Sequence, residues 1–241
     1  MSFIKLYNDD CINLFKSIED ESIDLIVTDP PYKLTSRGNN GTSGGIMKKD
    51  IYMKGDVFSN NDIKPTDYAP HFYRLLKDGS HCYVMCNNLN LQLMLISFEQ
   101  VGFHFVKSII WDKQTKIMGT HYMSQYEHIL MFSKGYCRII NNCGTSDILS
   151  IKQIKQKDLS GNNIHDTEKP VELMRVLVEN SSNYGDVVVD PFMGIGSVGC
   201  ACKQTGRSFI GCEIDKSYFS FCKNRIDNFG TSITKKSNKL F

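Results

Sequence analysis

Two short apolar runs in this chain end in an aspartate followed by proline: IDLIVTDPPY at 23–32 and VVVDPFMGIGS at 187–197. Each run reads as a buried strand with an acid and a rigid or glycine-rich turn at its tip. Between and around them, short apolar runs alternate with amphipathic segments, the signature of βαβ units and a mainly parallel sheet. Strands are expected over 3–7, 24–28, 81–86, 103–111, 128–132, 187–190 and 209–212. Helices are expected over 11–17, 67–76, 89–100, 171–180, 197–205 and 216–228.

Two stretches fit neither class. Residues 33–64 contain SRGNNGTSGG and several lysines and read as a mobile basic loop; residues 135–166 are polar, with scattered Lys and Arg. The tail TKKSNK is expected to fray. At 241 residues the chain suits one domain, 1–241, with these two excursions inside it. The formal charge is only +2, from 28 basic and 26 acidic residues, so any phosphate-binding surface has to be a local patch. The nine cysteines are odd in number, form no C-x-x-C and follow no apolar leader. They read as reduced core thiols in a cytoplasmic protein, with no metal site. No apolar run reaches the roughly 18 residues of a membrane span.

In the second motif, glycines at 194 and 196 let the backbone approach a ligand, and the following helix offers free N–H groups. The next strand ends in Glu213-Ile214-Asp215, and an acid there suits the two hydroxyls of a ribose. Gly194-x-Gly196-x-x-Gly199 formally matches the dinucleotide pattern, so a Rossmann-type NAD-binding oxidoreductase is one alternative. The Asp-Pro-Phe before it is unlike a dinucleotide loop. A cofactor with a carboxylate, an amine and a ribose but no pyrophosphate fits equally well.

The first motif suits methylation of an exocyclic amino group on a nucleobase. That nitrogen is conjugated with the ring and a poor nucleophile. Two acceptors on its hydrogens favour pyramidal geometry and aim the lone pair at a methyl donor. The Asp29 carboxylate is one acceptor and the Pro30 carbonyl the other, with Pro31 restricting Pro30. Tyr32 offers a face on which an extruded base stacks, worth roughly 1–3 kcal/mol.

DPPY together with DPFMGIGS resembles the amino-group DNA methyltransferases that use S-adenosyl-L-methionine. Further matches are YNDDC (7–11), IIWDK (109–113), YEHILMFSKG (126–135) and HDTEKP (165–170). Catalytic motif first and glycine loop late is the order of the circularly permuted beta group. The resemblance implies an α/β fold, a seven-stranded, mostly parallel sheet with helices on both faces. It implies that Asp10 meets the cofactor's adenine with Cys11 beside it, and that Asp190, Phe192, Gly194 and Gly196 line the methionine part. Glu213 would hold the ribose, Thr167 and Lys169 would close the far side of the pocket, and Asp29 would border it.

The family's target-recognition region falls within 135–166, which is short here. A short target, a homodimer or help from the 33–64 loop would compensate; the resemblance also admits a partner restriction enzyme. Aspartate at 29 favours adenine N6 over cytosine N4, whose enzymes usually carry serine there. The other acceptors left open are cytosine N4 and an RNA base. Candidate DNA contacts are Lys33, Arg37, Lys48, Lys49 and Lys54 in the first loop, and Arg138, Lys152, Lys155 and Lys157 in the second. His121 and Tyr122 are expected to pack.

Overall fold

The strand side chains sort by parity into two cores. Leu25, Val27, Tyr83, Met85, Ile129, Met131 and Val188 belong to one; Ile26, Cys82, Val84, Cys86, Leu130, Phe132 and Val189 belong to the other. Successive strand side chains point to opposite faces, so strands apolar at every position require cover on both. The computed structural model describes residues 2–31, 63–117, 121–154, 156 and 168–230, and among these three helices lie on each face.

In chain order the elements are β1 (Ile4–Tyr7), α1 (Cys11–Ser17), β2 (Ile23–Thr28), α2 (Pro65–Leu75), β3 (Leu76–Cys86), α3 (Leu91–Gln100), β4 (His104–Ile117) and β5 (Ser124–Ser133). There follow β6 (Ile148–Ser150), α4 (Val171–Ser181), β7 (Val187–Asp190), α5 (Ser197–Thr205), β8 (Ser208–Cys212) and α6 (Lys216–Asn228). Leu14, Phe15, Tyr68, Phe72, Met94 and Phe98 bring α1, α2 and α3 onto one face. Leu173, Leu177, Val198, Ala201, Cys222 and Ile226 bring α4, α5 and α6 onto the other.

The sheet runs β1-β8-β7-β2-β3-β5-β4-β6. Only β5 is antiparallel to its neighbours, so the carboxyl ends of the other strands share one edge. β2 pairs with β7 through Leu25–Val188 and Ile26–Val189, which places two motifs far apart in sequence on adjacent strands.

The expected seven strands are eight. β6 is three residues, ILS, lying parallel to β4, with Ser150 Oγ donating to Asp112 Oδ2 at 3.0 Å. A segment that short, preceded by Ser146-Asp147 and broken by Ser150, leaves no apolar run to read. The β4–β5 hairpin is also longer than expected at both inner ends, because polar residues continue the ladder past Trp111 and before His128. β3 begins directly after α2, five residues before its expected start, with Gly79 at a φ of 74° within a register shift against β2. Most of the 33–64 loop, the end of the 135–166 segment and the tail lie outside the described residues.

Candidate active site

Four adjacent strands, β1, β8, β7 and β2, end at the same edge, and each carries an acid at or just past its tip: Asp10, Glu213, Asp190 and Asp29. At ~4.8 Å per strand step they span about 14 Å. Ligands in open α/β sheets bind in the crevice outside such an edge, where strand order reverses, here between β7 and β2.

Asp190 is buried and Oδ1 accepts from Thr28 Oγ1 at 2.7 Å and from the Phe192 N–H at 3.1 Å, tying the tip of β2 to that of β7. Burial pushes its carboxyl up to about 7, against those two donors, and the carboxylates of Asp29 and Glu213 add to the rise. The Phe192 ring meets Tyr68 edge-on at 5.4 Å. Gly194 donates its N–H to Glu213 Oε2 at 2.9 Å, and Asp215 donates to Oε1 at 2.8 Å. Burial raises Glu213, while these N–H groups oppose the rise. Gly196, just before α5, has φ 81°, where a side chain is strained, and a Cβ there would stand 2.4 Å from Cys222 Sγ. Gly199 has a packing role: its Cβ would stand 2.4 Å from Ile226 Cδ1 and 2.8 Å from Phe209 Cε1.

Asp10 is the N-cap of α1, where Oδ1 accepts from the Ile12 N–H at 2.7 Å. Cys11 lies beneath it in the core, and burial together with the Asp10 charge pushes its thiol up to about 12. It is a packing thiol, not a nucleophile.

Asp29 follows β2, with Pro30 buried and Pro31 half-buried after it. The Asp29 side chain keeps 22% of its surface exposed, yet Oδ1 is buried and accepts no hydrogen bond from the described residues. Oδ2 is paired with the Lys169 ammonium. Lys169 Nζ also stands 3.4 Å from Glu127 Oε2, and Glu127 Oε1 pairs with Lys113. The Lys113 ammonium lies 5.3 Å from the centroid of the Trp111 ring. Burial and Glu127 raise Asp29, and Lys169 limits the rise. Burial disfavours the charge on Lys169, but Asp29 and Glu127 outweigh it and hold the ammonium above its ordinary range. Burial would raise Glu127; Lys169 and Lys113 outweigh it and hold it low.

Lys169 is fixed from behind. Its carbonyl accepts from Ser197 Oγ at 2.7 Å, locking it to the first residue of α5. Its neighbour Glu168 is buried and paired with Arg225 of α6 at 2.8 Å.

The structure therefore brings Asp10, Asp29, Pro30, Lys169, Asp190, Gly194, Gly196 and Glu213 to one edge. Tyr32 and Thr167 lie outside the described residues, as do Lys33, Arg37, Lys48, Lys49, Lys54, Lys155 and Lys157. Two expectations fail. Arg138 donates to the Asp78 carbonyl and to Ser80 Oγ near the start of β3, at the opposite edge, so its guanidinium is engaged away from the crevice. His121 and Tyr122, expected to pack, are both exposed just before β5, Tyr122 at 93%. Glu127 and Lys113 are the residues missed. IIWDK and YEHILMFSKG contain them, but only strand parity, which puts Glu127 on the same face as Ile129, assigns their side.

A DNA methylase family model matches residues 23–224 of the chain. The Type II methyltransferase M.HpaI of Haemophilus parainfluenzae is 30% identical over 93% of this chain and 74% of its own length. M.HinfI of Haemophilus influenzae is 28% identical over 90% of this chain and 66% of its own. Among solved structures, the PvuII cytosine-N4-specific DNA methyltransferase superposes with a TM-score of 0.71 at 18% identity, over 95% of this chain and 94% of that one. The M1.HpyAVI–SAM complex gives 0.67 at 23% identity, over 92% and 100%.

Proposed function

The chain belongs to the DNA methylase family, whose methyl donor is S-adenosyl-L-methionine, and from that premise we propose that it methylates N6 of a flipped-out adenine in DNA. The observation that carries this reading is Asp29 Oδ1: a buried carboxylate oxygen at the crevice, accepting no hydrogen bond from the described residues. Such an oxygen is matched by a donor that arrives with the substrate. A carboxylate rather than a serine hydroxyl at 29 supports adenine, since an ionised acceptor makes the stronger hydrogen bond to an amino group.

The residues at the edge fit the cofactor by their chemistry. The partners found for Asp190 are a hydroxyl and a backbone N–H, so an ammonium from the methionine part would supply the cation that its burial calls for. Each Glu213 oxygen holds one backbone donor and has a lone pair left for a ribose hydroxyl. Asp10 and Cys11 border the adenine, Phe192, Gly194 and Gly196 the methionine, and Thr167 with Lys169 the far side.

When bound, the cofactor would supply a methyl carbon on a sulfonium, open to attack by N6 with sulfur as the leaving group that keeps the carbon–sulfur electron pair. Asp29 Oδ1 accepts one N6 hydrogen and the Pro30 carbonyl the other, drawing the nitrogen toward pyramidal geometry. Tyr32 stacks on the extruded ring. The proton left on N6 passes to the Asp29 carboxylate and from there to water.

β6 runs parallel to β4, so the chain after Ser150 leaves at the same edge as Asp29. Exposed Lys152 and Tyr122, with the 33–64 loop, are the surfaces we assign to DNA. A partner restriction enzyme is the context we propose for the chain, and seven buried cysteines among nine free ones support a reducing cytoplasm. Sedimentation equilibrium distinguishes a monomer from a homodimer.

The test of the acceptor is product identity. DNA incubated with the protein and labelled cofactor is digested to nucleosides and separated. Label in N6-methyl-2′-deoxyadenosine supports the proposal; label in N4-methyl-2′-deoxycytidine, or none in DNA while a parallel RNA substrate is labelled, refutes it.

A further inference from the structure

Asp29 on β2 and Glu127 on β5 are two strands apart across β3, about 10 Å at the usual strand spacing, too far to touch. The Lys169 ammonium lies between them. Parity explains the alignment: Asp29 continues the Leu25–Val27 face, Glu127 the Ile129–Met131 face, and Lys113 the Trp111 face, all belonging to the core under α4, α5 and α6. Lys169 sits two residues before α4 and reaches onto this face.

We infer that Glu127, braced by Lys113, is a positioning residue that holds the Lys169 ammonium on Oδ2 of Asp29 and so leaves Oδ1 free for the substrate amino group. The geometry gives each member one task. Lys113, 7% exposed, engages Oε1 of Glu127 and fixes the carboxylate from the outer side. Oε2 of Glu127 faces Lys169 at 3.4 Å and draws the ammonium away from Oδ1. Two carboxylates and two ammoniums sum to no net charge, which is how four ionised groups can share a poorly solvated face. A lone ammonium beside Asp29 would be free to bridge both carboxylate oxygens and cover the acceptor. The inference rests on the proposed role of Asp29 as acceptor, and adds residues outside the DPPY motif to it.

Among the described residues, the charged and titratable groups facing Asp29 are Lys169 before α4, Glu127 on β5, Lys113 on β4, Asp190 on β7, Cys86 on β3 and Tyr68 on α2. Cys86 is pushed up to about 12 and Tyr68 well above its ordinary value, both mainly by burial, so neither ionises at neutral pH. Lys169 and Lys113 lower the Asp29 pKa and Glu127 raises it. The variants therefore have opposite signs.

The experiment is a pH titration of the cofactor-free protein with ¹³C-labelled aspartate carboxyls, the Asp29 signal assigned by its loss in Asp29→Asn. Glu127→Gln lowers the Asp29 midpoint and Lys169→Met raises it, each by about one unit or more; Lys113→Met raises it less. Separately, Glu127→Gln lowers kcat at saturating cofactor at least tenfold while the KM for cofactor stays within about threefold. Asp190 titration enters through cofactor affinity and is removed from kcat by saturation. A midpoint unmoved in Glu127→Gln, or moved in the same direction as in Lys169→Met, overturns the inference. So does an unchanged kcat. If Lys169→Met does not fold, the opposite shifts of Glu127→Gln and Lys113→Met decide it. The NMR midpoints need no turnover, so a wild-type enzyme that leaves adenine unmodified counts against the proposed reaction and not against this arrangement.

Discussion

The two halves of the crevice hold their acids by different means. On the β1–β8–β7 side, Asp10, Glu213 and Asp190 are met by backbone N–H groups and, for Asp190, a hydroxyl. On the β2–β3–β5–β4 side, Asp29 and Glu127 are met by two lysine ammoniums. Neutral donors solvate a carboxylate only partly, so burial prevails and Asp190 is pushed up to about 7. At Asp29 burial and the Glu127 charge also raise the carboxyl, but the Lys169 ammonium limits the rise, and at Glu127 the two ammoniums outweigh burial. The first half is thus suited to a ligand that brings its own positive charge and hydroxyls, the second to a neutral amino group that needs an ionised acceptor. One sheet edge carries both because β2 and β7 are neighbours in space.

Substitutions on either side of the crevice separate the two halves. Glu213→Ala removes the acceptor that joins the glycine loop to β8 and is proposed to hold the ribose. Losing a charged hydrogen-bond acceptor costs about 1.5–3 kcal/mol, or roughly 10- to 150-fold in cofactor Kd by calorimetry. Wild-type cofactor affinity should also fall as pH drops below about 7, because protonated Asp190 cannot pair with an ammonium. A tenfold loss per pH unit is the limiting slope, and a flat profile from pH 8 to 6 contradicts the assignment.

The same residue has a stability consequence with the opposite sense. Its carboxyl titrates higher in the folded than in the unfolded chain, so its contribution is favourable below about pH 4 and is lost as pH rises through about 7. Asp190→Asn keeps an oxygen for Thr28 and Phe192 and should therefore melt a few degrees higher at pH 8, while binding cofactor more weakly. A lower melting temperature would show that the ionised form is supported by more than the two donors observed. The smallest effect on the chemistry is expected from Gly199→Ala. Its Cβ meets Ile226 and Phe209, so about 1–3 kcal/mol of stability is lost, while the cofactor KM stays near wild type. A large rise in KM would move Gly199 from packing to binding.

Much of this division was legible in the sequence, for a physical reason. Acids at strand tips after apolar runs are local features, and VTDPPY, VVVDPFMGIGS and the Glu213 strand end each state their position within a few residues. What was not legible depends on partners across the sheet. Read by apolar content, β4 ends at Trp111 and β5 begins at His128, which leaves Lys113 and Glu127 just outside. Glu127 pairs with Trp111 in the ladder, and Lys113, at the register shift beyond Asp112, is held there by its charge pairing with Glu127, which Lys169 links to Asp29. β6 escaped for a similar reason, since three residues beside β4 gain their strand character from the neighbour. Tyr122 shows the converse: an aromatic residue suggests packing, but no element of the described chain covers it.

The central claim is that Asp29 receives the amino group while the other half of the crevice holds the cofactor. Single-turnover methyl transfer by Asp29→Ala at saturating cofactor, on the DNA that the wild type modifies, tests it most directly. The expected result is a loss of about 10³-fold or more in the transfer rate with cofactor Kd changed less than about tenfold. Transfer at a rate near wild type, or an equal collapse of cofactor binding, would contradict it.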